Sequence, residues 1–173
     1  MQSIPRHPIV DTGPLFDYLL WRFSCSDYFK GAARSFQFRY LKTDSYREAV
    51  RWYFTRAKPI TTCPQVIAEI HRHGEKQLRA PNLGYFWRFA QQELAELSLN
   101  EKLVTLAQMD GNILSSFGPT DTALLQLAGA SSHSSQPVFT EEGELAGKCR
   151  EREVKVLRIA EVLSIWQEYE RKG

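Results

Sequence analysis

Four segments of this chain each set a carboxylate where a strand should end or a helix begin. Asp11 follows Pro8-Ile9-Val10, and Glu141 and Glu142 follow Pro137-Val138-Phe139-Thr140. Glu69 falls in the first turns of a helix opened by Pro64, at the margin of the face formed by Val66, Ile67 and Ile70. Asp121 stands at the start of a helix carrying Leu124, Leu125, Leu127 and Ala128. In an open parallel α/β sheet, ligands gather beyond the carboxyl ends of the strands, where these acids could meet. Clustered carboxylates raise one another's pKa unless a cation neutralises them. Hard oxygen donors suit Mg²⁺ or Mn²⁺ rather than zinc, and such a site activates water for in-line attack on a phosphodiester. Singly, each acid has a plainer reading. Asp11 serves equally as a turn residue before Gly13-Pro14, Glu69 as a solvated helix residue, and Asp121, Glu141 and Glu142 as acids favoured by a helix dipole.

The elements that must position them alternate. His7 to Val10 predicts a buried strand, and Gly13-Pro14 predicts a helix start just after it. Ser45 to Ala57 predicts a helix with Asp44 as its cap. Ile60 to Cys63 predicts a short β segment, Pro64 to about Leu78 a helix, and Pro81 to Ser98 another. Leu103 to Leu106 has strand composition. Ile113 to Phe117 predicts a helical turn or more, broken by Gly118-Pro119, with Thr120 or Asp121 opening a second helix through Ala130. Pro137 to Thr140 predicts a strand, Glu142 to Glu151 a helix, Val154 to Ile159 the last strand, and Ala160 to Arg171 a terminal helix or tail. Short apolar strands alternating with helices argue for an α/β domain with a mainly parallel sheet.

Composition bounds the rest. The 173 residues are 43% hydrophobic and 24% charged, which suits one domain over 1–173 with a core of its own. A net charge of +2 restricts any contact with nucleic acid to local patches. Cys25, Cys63 and Cys149 form no CxxC pair, which argues against a disulfide scaffold or structural zinc and points to the cytoplasm. The opening MQSIPRHPIVDTGPL carries prolines where a signal peptide needs an apolar run, and no window has the apolar length of a membrane span.

The segments PIVDTGPL, PQVIAEI, GPTDTALLQLA and PVFTEEGELAGKCRE, in this order, resemble the motifs of the PIN domain family over residues 8 to about 158. The resemblance implies a three-layer α/β/α fold with a central parallel sheet, and a metal-dependent ribonuclease leaving a 5′-phosphate and a 3′-hydroxyl. Asp11, Glu69 and Asp121 match the family's first three acids. At the fourth, where the family usually carries Asp, this chain has Glu142, with Glu141 beside it. Thr140 and Thr12 match hydroxyls that orient the site. The resemblance further implies Mg²⁺ or Mn²⁺ held by Asp11, Glu69, Asp121 and Glu142. A free-standing domain of this size is similar to the VapC-like toxin of a type II toxin–antitoxin pair, which implies a small antitoxin protein and a homodimer. An RNA-processing nuclease, a DNA-directed structure-specific nuclease and a non-catalytic scaffold binding RNA or protein remain as alternatives.

A second departure is residues 22–58, longer than the compact toxin-like members carry there and expected to form a helical, basic insertion after the first helix. Nine Lys and Arg stand against three acids, a net of +6, with ten aromatic rings interleaved. Arg47, Arg51, Arg56 and Lys58 are its candidate RNA-binding residues. Alternatively the basic residues merely solvate a packed surface, and packing is the favoured role for most of the rings. His71 and His73 are two apart on one helix and cannot chelate together, and His133 in the Ser-rich stretch 131–136 lacks a triad partner. Cys63 and Cys149 read as buried small residues. No GxGxxG or GxxxxGK loop is present, and a receiver-like phospho-acceptor role for Asp11 lacks its acidic pair and late lysine.

Overall fold

Ile9 and Val10 are wholly buried, and an apolar pair sealed on both faces belongs in the middle of a parallel sheet. In the computed structural model, which describes residues 4–29, 36–130 and 136–172, they form β1 (Ile9–Val10). The chain continues through α1 (Thr12–Ser24), α2 (Asp44–Ala57), β2 (Thr61–Thr62), α3 (Pro64–Gln77), α4 (Asn82–Glu96) and β3 (Asn100–Glu101). A 3₁₀ turn (Leu106–Gln108) then leads to α5 (Gly111–Ala130), β4 (Val138–Phe139), α6 (Gly143–Glu151), β5 (Val156–Leu157) and α7 (Ile159–Glu170). The strands form one sheet in the order β3-β2-β1-β4-β5, every pair parallel. Right-handed crossovers then carry the helices after β1 and β2 over one face and those after β3 and β4 over the other. The result is an α/β fold compatible with three α/β/α layers. No helix among the described residues is long and apolar enough to cross a membrane.

The reversal of strand order falls at β1, flanked by β2 and β4. The loops leaving β1 and β4 therefore diverge and open a crevice at their carboxyl ends. The Asp11 backbone N–H donates to the Phe139 carbonyl (3.0 Å), extending the β1–β4 ladder to the lip of that crevice. Beneath it, α1 buries Leu15, Tyr18, Leu19 and Phe23. Tyr18 and Arg22 on α1 both reach the buried Glu93 of α4, the tyrosine hydroxyl by a short hydrogen bond and the Arg22 Nε at 3.1 Å. A buried acid is tolerable only with such partners.

The breaks at Gly118-Pro119 and after Val10 stand as expected. Gly118 takes φ 79°, ψ 175°, so α5 is two helical segments in a bent rod, the second opened by Pro119. Four expectations need correction. Thr43, not Asp44, caps α2, its side chain accepting the Tyr46 N–H. The third strand is Asn100–Glu101 rather than Leu103 to Leu106. Its N–H and C=O partners lie on β2 alone, so an edge position accepts polar, exposed side chains, while Leu103 and Leu106 are both 71% exposed. The last strand stops at Leu157, and Ile159 already belongs to α7. The stretch 22–58 is helical only in part: residues 36–43 run non-helically between α1 and α2. Lys30, Arg34 and the stretch 131–135 with His133 lie outside the described residues.

The 36–43 strap is held against α1 by a side chain that takes two of its N–H groups. The buried Asp17 of α1 accepts from the backbone N–H of Tyr40 (2.6 Å) and of Leu41 (3.0 Å). The Gln77 side chain accepts the Gln37 backbone N–H and donates to the Gln37 carbonyl, tying the strap to α3. The Tyr40 ring lies so close over Gly13 that a Cβ there would stand 2.4 Å from Cε2. Truncating Asp17 to Ala strands two N–H groups, so Asp17→Ala should lower the unfolding free energy by about 2 kcal/mol. Urea denaturation checks this. An unchanged midpoint would mean that the strap is held by other contacts.

Candidate functional site

Asp11 ends β1 and caps α1, one oxygen accepting the Thr12 N–H (2.6 Å). Its other oxygen accepts the Thr140 hydroxyl (2.6 Å), which arrives from the end of β4. Thr140 is completely buried, and its hydroxyl oxygen also accepts the Glu142 N–H (3.0 Å). Glu69, one turn and a half into α3, is gripped on both sides. Thr12 donates to Oε2 (2.7 Å) and Thr120 to Oε1 (2.6 Å). Arg72 stands 3.4 Å from Oε1 but is largely exposed, a weak pairing. Asp121, in the first turn after the Gly118 break, has no hydrogen-bond or ion-pair partner among the described residues. Asp11, Glu69, Asp121 and Glu142 line one cleft of about 390 Å³ with Thr12, Thr120, Phe16, His73 and the strap residues Arg39 and Tyr40.

The four acids thus come together, and their electrostatics show it. Burial pushes the Asp11 carboxyl up to about 6; the Thr140 and Thr12 hydrogen bonds pull down, and the charges of Glu142 and Glu69 push up. Burial also lifts Asp121 to about 7, with the charges of Asp11, Glu69, Glu142 and Glu144 acting in the same direction. Glu142 is paired within the chain: its Oε1 accepts the Tyr40 hydroxyl (2.5 Å) and lies 3.1 Å from Arg39 Nη1 in an ion pair.

The donors are carboxylate and hydroxyl oxygens, the set that suits a hard divalent cation such as Mg²⁺ or Mn²⁺. Two raised carboxyl groups in a cleft short of positive charge fit such an ion. Among the described residues no three His, Cys, Asp or Glu side chains stand as a ready metal-binding group. Instead the acids line the cleft walls, with both oxygens of Asp11 and of Glu69 turned to hydrogen-bond donors.

Other expected residues lie elsewhere. Glu141 faces away from the cleft, accepting the Ile159 N–H (2.6 Å) with Arg158 3.7 Å off, so it fastens the start of α7. Arg47 pairs with Asp44, donates to the Leu41 carbonyl and covers Phe38. Arg51 pairs with Glu48, Arg56 lies over Trp52 and Tyr169, and Lys58 donates to the Glu96 carbonyl. None of the four lines the cleft. His71 accepts from Trp87 and His73 stacks on Phe16, two different surroundings as their spacing requires. Cys63 and Cys149 are buried, and burial raises both thiols, Cys149 to about 11. Sequence reasoning missed Arg39, Tyr40, Asp17 and the hydroxyl of Thr120. Thr120 adjoins Asp121 and carries a signal in its position; nothing in the spacing of α1 or the strap marks the other three.

No protein-family model, no curated protein and no solved structure matches this chain.

Both raised carboxyls start from 3.8, so the folded chain holds extra protons between about pH 4 and pH 7. The stability these two carboxyls contribute is therefore fully present below that window and is lost as the pH rises through it. Without divalent ions, the melting temperature should drop by roughly 4–8 °C between about pH 5 and pH 8. Asp121→Asn should flatten that slope, and millimolar Mg²⁺ should do the same in the unaltered chain. Thermal unfolding across pH reads all three.

Proposed function

We propose that this chain is a PIN-domain endoribonuclease, hydrolysing RNA phosphodiester bonds with Mg²⁺ or Mn²⁺. The observation that carries the reading is the meeting of Asp11, Glu69, Asp121 and Glu142, from four separate segments, in one cleft beside the carboxyl ends of β1 and β4. The order of the motifs along the chain supports it from the sequence side.

Asp11, Glu69 and Asp121 would hold the cation. When bound, that ion supplies Lewis acidity toward a phosphodiester and its attacking water. The threonines do the positioning. Thr140 and the Thr12 N–H fix both oxygens of Asp11, and Thr12 with Thr120 fixes both of Glu69, so the acids are oriented before any ligand arrives. Asp121 is the member left free to turn toward an incoming ion. Hydrolysis adds water across the P–O3′ bond: the hydroxyl goes to phosphorus, the proton to the departing 3′ oxygen. The toxin role, with a small masking antitoxin and a homodimer, belongs to the same proposal and rests on the resemblance.

The test is cleavage of a mixed RNA pool with Mn²⁺ or Mg²⁺ by the wild-type chain, Asp11→Asn and Asp121→Asn. Each variant should lose at least roughly a hundredfold in rate, the scale on which damage to a metal site is felt, and chelator should silence the wild type. Equal cutting by all three preparations would mean a contaminant. A wild-type chain that neither cuts RNA nor binds divalent ions would be a scaffold instead.

A further inference from the structure

A cleft floored by Asp11, Glu69 and Asp121 repels the polyanion it is proposed to cut. One cation among the carboxylates does not remove the problem, because an RNA strand brings phosphates on either side of the bond to be broken. Among the described residues lining the cleft, Arg39 is the one permanently cationic side chain. Its side chain is 69% exposed and its Nη1 stands 3.1 Å from Glu142 Oε1 in an ion pair, which leaves the guanidinium open to solvent. Its guanidinium carbon lies 5.0 Å from the centroid of the Tyr40 ring.

That ring is itself immobilised. Gly13 lets it lie against α1, Asp17 holds its backbone N–H, and its hydroxyl is bonded to Glu142. Arg39 thus touches both the Tyr40 ring and Glu142 at the rim of the cleft, contacts that orient an exposed side chain without burying it. Glu142 accordingly has an occupation of its own. Its Oε1 accepts the Tyr40 hydroxyl and ion-pairs with Arg39, whereas the Asp121 carboxylate has no hydrogen-bond or ion-pair partner among the described residues.

We propose that Arg39, held by Glu142 and Tyr40, binds a backbone phosphate of the RNA beside the scissile bond, and that Glu142 positions Arg39 instead of ligating the metal ion. This rests on the ribonuclease reading above. It reassigns the acid at which this chain departs from the PIN pattern: a glutamate here reaches the strap.

Two readouts besides activity test it. In chelator and at low salt, where no cleavage occurs, binding of a fluorescent single-stranded oligoribonucleotide is followed by anisotropy across a salt series. Arg39→Gln should weaken binding about tenfold and lower the slope of log affinity against log salt by about 0.7, one phosphate contact. Glu142→Gln should weaken binding in the same direction by loosening Arg39. Calorimetric titration with Mn²⁺ should show Glu142→Gln within about threefold of wild type and Asp121→Asn weakened by more than about tenfold. Arg39 is exposed, so its variant should keep the wild-type melting temperature. The assignment is overturned if wild type binds no oligoribonucleotide, if Arg39→Gln leaves affinity and salt slope unchanged, or if Glu142→Gln loses Mn²⁺ as Asp121→Asn does. A wild-type chain that binds the oligoribonucleotide through Arg39 but takes up no Mn²⁺ would sink the metal-dependent reading and Glu142's contrast with Asp121, leaving the phosphate contact.

Discussion

Carboxylates crowded into one crevice repel one another, and Asp11 and Glu69 are each held by groups whose own charge does not add to the cost. Here the holders are hydroxyls and backbone N–H groups. Thr140 and the Thr12 amide take Asp11, while the Thr12 and Thr120 hydroxyls take Glu69. Neutral donors stabilise ionised oxygens without cancelling the field that attracts a cation. They also explain why the acids sit where they do. Strand ends and helix first turns are the places where N–H groups and short hydroxyl side chains point into one space.

The strap 36–43 answers the same constraint from the opposite side. It brings a guanidinium and a phenol onto Glu142, so this acid is paired within the chain while the Asp121 carboxylate is not. The cleft is thereby divided: an electronegative floor of Asp11, Glu69 and Asp121, and a rim carrying one fixed positive charge. Two further residues make the division possible. Asp17 gives up a buried carboxylate to hold the strap's backbone, and Gly13 gives up a side chain to seat the Tyr40 ring. Neither touches the proposed chemistry, yet each is set by it.

Legibility in the sequence followed the range of the forces involved. Asp11 after a buried Ile-Val pair, Pro64 opening α3 and the Gly118-Pro119 break are local events, and each was read from neighbours in the chain. The third strand was misplaced because composition favours Leu-Val-Thr-Leu, while pairing with β2 selects Asn100–Glu101 at an edge that demands no apolar side chain. The basic residues of α2 and its C-cap are legible as charges and not as a site. Arg47, Arg51, Arg56 and Lys58 find partners on the surfaces around them, away from the cleft. Glu141 and Glu142 are adjacent and chemically alike, and only the directions of their side chains separate a fastening for α7 from a wall of the cleft.

What the sequence by itself determined is the alternation of elements, the parallel α/β class and the four acidic positions at element boundaries. These follow from hydrophobic period, helix breaks and capping, all of which act within a few residues. The convergence of those acids was decided by the strand order β3-β2-β1-β4-β5, which sets the ends of β1 and β4 side by side. The threonine grips, the raised carboxyls and the seating of Arg39 over Glu142 were likewise decided by tertiary structure. Each joins residues far apart in sequence, 129 positions for Thr140 and Asp11 and 102 for Tyr40 and Glu142. Hydrogen bonds and desolvation depend on distances of a few ångströms, and those distances exist only once the sheet has formed and the strap has closed against α1.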